Sequence, residues 1–245
     1  MPEPKRIWDC HVHVKGGDRF QREFSAEEIL RTMDFAGIEK SVVFAMCRPA
    51  RESTFLAQRE WQKAPDRLIP FAHMVPTEGL LGIREVQRAV TELGFRGVKI
   101  HFGEMGEVTS DNVAPTFEAI AALGVPVVLD TKGLADVTAS LAERFPELNL
   151  IVAHLGGAHD EVKIDEFLAV AQRYPNVYLD TSWTNCSWKV PEAIELCGAD
   201  KVLFGSDGPL VHPAIELMKV RICRLPREDE EKVLWRNLAR LLNMA

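Results

Sequence analysis

Short apolar runs rich in β-branched residues alternate along this chain with longer segments whose apolar positions recur at helical spacing. The runs at 7–13, 41–46, 69–74, 97–101, 126–130, 149–153, 177–180 and 202–204 are predicted as strands. Each is dense in Val, Ile, Leu or Phe, as parallel strands buried on both faces require. Ser25-Ala-Glu-Glu28 has the form of a capping box and opens a helix that ends at Ala36-Gly37. Further helices are expected at 79–92, 115–123, 134–145, 163–174 and 191–197. Pro115 and Pro191 suit their first turns, and Gly94, Gly124 and Gly198 lie just past helix ends. The segment 227–242 puts Val233, Leu234, Leu238, Leu241 and Leu242 on one helical face, with charges opposite.

Eight strands with crossover helices admit a closed barrel or an open doubly wound sheet. The polar residues decide between them. His11, His13, His73, Lys99, His101, Asp130, His154, Asp180 and Asp207 all stand at or just past predicted strand ends. A doubly wound sheet gathers its site from two or three strands at a switch point. A barrel brings every strand end into one ring. The predicted fold is therefore α/β, a single (β/α)8 TIM barrel over residues 1–245 with a C-terminal helix.

Composition narrows the partners. At 245 residues, with 47% hydrophobic and 27% charged residues, the chain can bury one large core. The net charge of −7 and the lack of a basic stripe argue against nucleic acid. Lys5-Arg6 reads as a solvated strand flank. No run is long enough to cross a bilayer and no signal-peptide core opens the chain, so a cytoplasmic protein without a membrane partner is expected. The five cysteines are odd in number and lack CxxC spacing, which argues against a disulfide framework or a thiolate zinc site; most should be buried.

The chemistry concentrates at the strand ends. Strand periodicity sets His11 and His13 on one face. Imidazoles converging with carboxylates suit a divalent metal. Structural alternatives stand beside this. Asp207 can cap a helix, His154 can bond the Gly156-Gly157 turn, and Lys99 can pair with Asp130 or Asp180. His73 can pack or line a pocket, and His101 shares the face of Lys99. Trp183 and Trp188 can wall the pocket or pack in their loop. Glu104 and Glu107 lie in a Gly-rich stretch that is a flap or a solvated loop. His159 is expected in solvent, while His212 follows the eighth strand closely enough to touch a substrate.

Trp8-Asp-Cys-His-Val-His13, Gly94-Phe-Arg-Gly-Val-Lys-Ile-His101, Val152-Ala-His-Leu-Gly-Gly157 and Leu203-Phe-Gly-Ser-Asp-Gly-Pro209, with the tail Asn237-Leu-Ala-Arg-Leu-Leu242, resemble the amidohydrolase superfamily. The similarity is to its amidohydrolase-related branch of metal-dependent hydrolases and decarboxylases. It implies metal ligation by His11, His13, Asp207 and His154. Asp207 would also handle the proton of a metal-bound water, and His154 would polarise the substrate. The family has a histidine ligand where this chain has Asp130, which can ligate through oxygen or mark a weakened site. Lys99 would be carboxylated or, with Arg48, hold a substrate carboxylate; His73, His101 and Trp183 would contact the substrate. The resemblance implies a divalent ion, Zn²⁺ first with Mn²⁺ or Fe²⁺ as alternatives, a small-molecule substrate and a homodimer. Short loops favour hydrolysis of an amide, lactone or ester. Non-oxidative decarboxylation and a binding barrel with a decayed metal site are the alternatives.

Overall fold

The computed structural model describes residues 6–16 and 22–244, so Lys5 of the basic pair lies outside the described residues. Nine strand segments, all parallel, form the wall: β1 (Trp8–Val14), β2 (Lys40–Ala45), β3 (Leu68–Pro70), β4 (Ala72–His73), β5 (Val98–His101), β6 (Val127–Asp130), β7 (Leu150–Val152), β8 (Val177–Asp180) and β9 (Val202–Leu203). β3 and β4 are halves of one predicted strand, parted at Phe71, which bonds back to Val43 while Ala72 bonds forward to Gly97. The ring closes where Cys10 donates to Phe204 O at 3.0 Å and His13 to Gly208 O at 2.7 Å. Eight strands thus form a (β/α)8 barrel, as the strand-end polar residues required.

Around the wall run α1 (Ala26–Ala36), α2 (Ala50–Trp61), α3 (Leu80–Thr91), α4 (Ser110–Ala121), α5 (Ala135–Arg144), α6 (Glu161–Arg173), α7 (Lys189–Cys197) and α8 (Pro213–Arg221). Two of these were not predicted, each for a physical reason. The buried face of α2 includes Ser53, Thr54 and Glu60, which breaks the apolar stripe. α8 buries Leu217 and Val220 but exposes Ile215 and Met218, so apolar positions go all round. α4 begins at Ser110, not at Pro115. Thr109 and Asn112 form a reciprocal capping box one turn earlier, leaving Pro115 inside the helix.

The chain ends in α9 (Arg227–Glu231), a π-helical turn at Lys232–Arg236 and α10 (Asn237–Leu241). This stretch plugs the barrel. Leu238, Ala239, Leu241 and Leu242 join the interior cluster of Trp8, Cys10, Val42, Phe44, Ile69, Phe71, Val128, Ile151, Tyr178 and Leu203. Val127 and Leu129 face the other way, into the layer beneath the helices. Only Cys10 and Cys186 are fully buried; Cys197 and Cys223 are half-buried and Cys47 is exposed, so burial of the cysteines is less complete than expected. Among the described residues no helix is long and apolar enough to cross a membrane.

Leu238→Ala opens a cavity where the plug meets the barrel floor. It is expected to lower stability by about 2–5 kcal/mol in urea unfolding. An unchanged midpoint would mean that the plug is dispensable.

Candidate metal centre

The site starts from a bulge in β1. Asp9 pairs with Ser41 but Val12 pairs with Val43, so β1 carries one extra residue. Asp9 locks this bulge to the loop after β9. Its Oδ1 accepts the backbone N–H groups of His11 and Ser206, both at 3.0 Å, and its Oδ2 accepts the Ser206 hydroxyl. Burial pushes the Asp9 carboxyl up to about 7, against the Ser206 bonds. Asp207 follows directly. It has a left-handed backbone with φ 59°, and His154, Leu155 and Trp183 have φ 60°, 51° and 46°. Backbone strain of this kind concentrates at functional sites. The turn after β7 also needs Gly156, since a Cβ there would lie 2.1 Å from the Phe167 ring.

His13 Nε2 lies 2.7 Å from Asp207 Oδ1, and His11 Nε2 lies 3.3 Å from the same oxygen. Donor atoms of His11, His13 and Asp207 converge within 4.8 Å of one another. On its other side His11 Nδ1 is 2.8 Å from Asp180 Oδ2. An ionised carboxylate only accepts, so Nδ1 carries the proton and Nε2 presents its lone pair to the convergence point. Asp180 Oδ1 accepts the backbone N–H groups of His154 and Ser182, both at 2.9 Å, and the Ser182 hydroxyl. His11, His154 and Asp180 also converge within 4.8 Å. There, however, His11 Nδ1 and both Asp180 oxygens are committed to these bonds, and His154 Nδ1 to Ser182 Oγ at 2.8 Å. That group orients imidazoles; the first group is the one whose own contacts, His13 Nε2 to Asp207 at 2.7 Å and Lys99 Nζ to His11 Nε2 at 3.3 Å, an ion would replace.

The charge states agree. Burial, with Lys99 adding, pushes His11 down to about 4 despite Asp180. Burial also lowers His13, although Asp207 opposes it. Both imidazoles are therefore neutral, the form that ligates. Burial would raise the carboxyls of Asp207, Asp180 and Asp130, but neighbouring imidazoles outweigh it and hold all three well below the usual range. Two neutral imidazoles and a carboxylate in an electronegative mouth are a fitting donor set for a divalent ion.

Lys99 bears on that fit. Its Nζ lies 3.3 Å from His11 Nε2 and 5.0 Å from the Phe44 ring centre. The amine contacts His11 rather than Asp130 or Asp180, and occupies the lone pair that an ion would take.

Asp130 faces inward, opposite His101 across the β5–β6 register. It belongs to the ring but not to the convergent group. Its Oδ2 lies 3.1 Å from His101 Nε2, 3.6 Å from His154 Nε2 and 3.7 Å from Lys132 Nζ. His154 bonds Ser182 rather than the glycine turn. Burial would lower it, but Asp130, Asp180 and Asp207 raise it. His73 is buried on β4 with Nδ1 3.1 Å from the Lys99 carbonyl. Trp183 leans on the His154 and His159 rings at 5.4 and 4.8 Å, and its backbone N–H donates to Glu216 Oε2. His212 caps α8 and packs on Phe35, away from the reading that it touches a substrate; with α8 capped so, Asp207 is free of that duty. Arg48 bonds the Gly16 carbonyl and lies 4.0 Å from Glu52. Trp188 is exposed, its indole N–H turned to Glu161. Sequence reasoning gave no orienting role to Asp180, Ser182 or Asp9. The strand-end position of Asp180-Thr-Ser182, shared with the histidines, was the available signal.

Two outcomes are expected from elemental analysis and metal titration. The protein holds about one divalent ion per chain, and His11→Ala or Asp207→Ala loses it while cooperative unfolding persists; Asp130→Ala keeps it. Lys99→Met removes the competing amine and tightens metal binding. A carboxylated, metal-bridging lysine would give the opposite result, weaker binding.

The amidohydrolase family profile matches residues 8–244. The gamma-resorcylate decarboxylase of Polaromonas sp. (strain JS666 / ATCC BAA-500) is 23% identical over 288 residues, covering 88% of this chain and 86% of that protein. The gamma-resorcylate decarboxylase of Rhizobium sp. (strain MTP-10005) is 25% identical over 247 residues, covering 74% and 75%. Among solved structures, 2,6-dihydroxybenzoate decarboxylase complexed with 2,6-dihydroxybenzoate superposes with TM-score 0.76 at 20% identity, covering 98% of this chain and all of the other at 100%. The dihydroxybenzoic acid decarboxylase of Polaromonas sp. JS666, with bound manganese and the inhibitor 2-nitroresorcinol, gives 0.75 at 20% identity and 98% coverage of both chains. With strand-end motifs, barrel and profile in agreement, the chain belongs to the amidohydrolase family.

Proposed function

We propose that the protein is a metal-dependent, non-oxidative decarboxylase of a small hydroxylated aromatic carboxylic acid. The observation that carries this reading is similarity along most of the chain to gamma-resorcylate decarboxylases, over a site whose donors fit one divalent ion. It displaces the hydrolytic reading drawn from short loops, which no relative named above supports. Because the Polaromonas structure holds manganese, Mn²⁺ is proposed in place of Zn²⁺.

In this reading His11, His13 and Asp207 hold the ion, which when bound draws electron density toward the substrate oxygens. The chain's own groups handle the proton. His154 has Nδ1 tied to Ser182 and Nε2 turned to the mouth near Asp130, so it is placed to protonate the ring carbon that bears the carboxylate. The carbon–carbon electron pair then returns to the ring as CO₂ leaves. Asp130, backed by His101 and Lys132, faces the charge that His154 carries before transfer. Trp183 covers the His154 ring and walls the pocket.

The Mn²⁺-loaded protein is expected to convert 2,6-dihydroxybenzoate to 1,3-dihydroxybenzene and CO₂, with one deuteron entering the ring in D₂O. His154→Ala should lower kcat by about 10²–10⁴-fold, and chelation should abolish turnover. Hydrolysis of lactones or esters without CO₂ release from any hydroxybenzoate would overturn the reading.

A further inference from the structure

The loop after β8 is held at both ends. At the near end Ser182 belongs to the orienting group: its hydroxyl bonds Asp180 and lies 2.8 Å from His154 Nδ1. The next residue, Trp183, sets its indole edge-on to the His154 ring, with centroids 5.4 Å apart and planes at 74°. It does so from a left-handed backbone, φ 46°. A bulky residue with positive φ is strained and persists only where its surroundings hold it.

What holds it comes from α8. Glu216 Oε2 accepts the Trp183 backbone N–H at 3.0 Å. Lys219 Nζ donates to the Thr184 carbonyl. The two side chains stand one helical turn apart, and the amine lies 2.7 Å from both carboxylate oxygens. A paired acid and base thus grip the N–H of one residue and the carbonyl of the next. The Thr184 hydroxyl then donates to the Ala158 carbonyl at 2.6 Å and ties the loop to the turn after β7. The Glu216 side chain is 2% exposed and that of Lys219 14%. Burial raises the Glu216 carboxyl, even against Lys219 and the Trp183 N–H. Apolar residues often replace a buried ion pair at no cost to a fold, so packing alone gives little reason for a charge pair beside Leu217 and Val220.

We propose that Glu216 and Lys219 are positioning residues that hold Trp183 against His154, the acid of the proposed reaction, and so fix one aromatic wall of the substrate site. The proposal rests on the decarboxylase reading above and adds which residues set that wall. With the clamp closed, the indole stands beside the acid, where it can pack against an aromatic ring. With the clamp released, Trp183 relaxes out of its left-handed backbone and the wall leaves with it.

The test uses the Mn²⁺-loaded protein labelled with 5-fluorotryptophan. Its five indoles each give a fluorine resonance, and Trp183→Phe identifies the one that belongs to Trp183. Glu216→Leu and Lys219→Met are each expected to shift that resonance and to lower kcat/KM for 2,6-dihydroxybenzoate about tenfold to a hundredfold, the scale on which a misplaced site group acts. Glu216→Gln keeps an acceptor for the Trp183 N–H and should return both readouts toward wild type. Trp183→Ala should show a similar loss, and adding Glu216→Leu to it should cost nothing more, because the pair acts through the indole. A lower thermal midpoint with the Trp183 resonance and kcat/KM unchanged would mark a purely structural ion pair and overturn the proposal. So would an undiminished effect of Glu216→Leu in the Trp183→Ala background. Should Glu216→Leu not fold, Lys219→Met, at the more exposed side chain, carries the same expectations. Wild-type protein that releases no CO₂ would sink the decarboxylase reading alone, and the Trp183 resonance in Lys219→Met would still decide the clamp.

Discussion

The hydrogen bond between His11 and Asp180 governs the mouth of this barrel. A carboxylate with no solvent contact is costly unless every lone pair finds a donor. Asp180 finds four: His11 Nδ1–H, two backbone N–H groups and the Ser182 hydroxyl. They come from β1, from the turn after β7 and from the end of β8. One side chain therefore ties distant strand ends together and fixes the His11 tautomer. From that tautomer follow the direction of the Nε2 lone pair and its convergence with His13 on Asp207. Removing one partner from such a buried pair typically costs 3–5 kcal/mol, so the geometry of the centre and the integrity of the rim share one cause.

The same mouth carries a charge imbalance. Asp130, Asp180 and Asp207 are held ionised, while Lys99 is the cation buried deepest among them. Burial lowers Lys99, against the pull of those three carboxylates. Its amine has settled on His11, the atom with most to offer a metal. A cation is wanted at that point, and the chain supplies one of its own. An ion bound at His11 as proposed would have to displace this lysine, which would link its affinity to wherever the Lys99 side chain goes next. The bulk of Phe44, against which Lys99, His11 and His13 all pack, restricts those destinations.

The barrel was legible in the sequence because parallel strands buried on both faces leave long apolar runs, and because polar residues survive only at their ends. The predicted edges at 177–180 coincide with β8. α2 and α8 were illegible for opposite reasons, one burying Ser, Thr and Glu, the other apolar on every side. Within the site, His11, His13 and Asp207 were legible as types placed at strand ends. Asp180 was read as a strand-end residue and a partner for Lys99 but not as the group that orients His11, since nothing in the spacing shows that a bulge between Asp9 and Val12 turns His11 toward β8. The contact between His73 and Glu104, at 3.4 Å, was hidden as well. It joins the end of β4 to a turn beyond β5, and Glu104 alone reads as an ordinary solvated loop residue.

Asp130 is where this chain parts from the family pattern, and its surroundings bear on the chemistry. A carboxylate is shorter than an imidazole, so reaching a shared ion from β6 would require the side chain to leave His101, 3.1 Å away, and Lys132. Holding both partners is the arrangement that satisfies its charge. The proposed centre would then have three protein donors, His11, His13 and Asp207, and more open positions than a four-donor site. Open positions are what a hydroxylated aromatic acid needs if its carboxylate and a neighbouring oxygen are to approach the same ion. In the proposed reaction Asp130, spared from ligation, would stay 3.6 Å from His154 Nε2, where its negative charge favours the protonated imidazole. The substitution that weakens the resemblance at one ligand thus places a carboxylate beside the imidazole that the proposed mechanism uses as its acid.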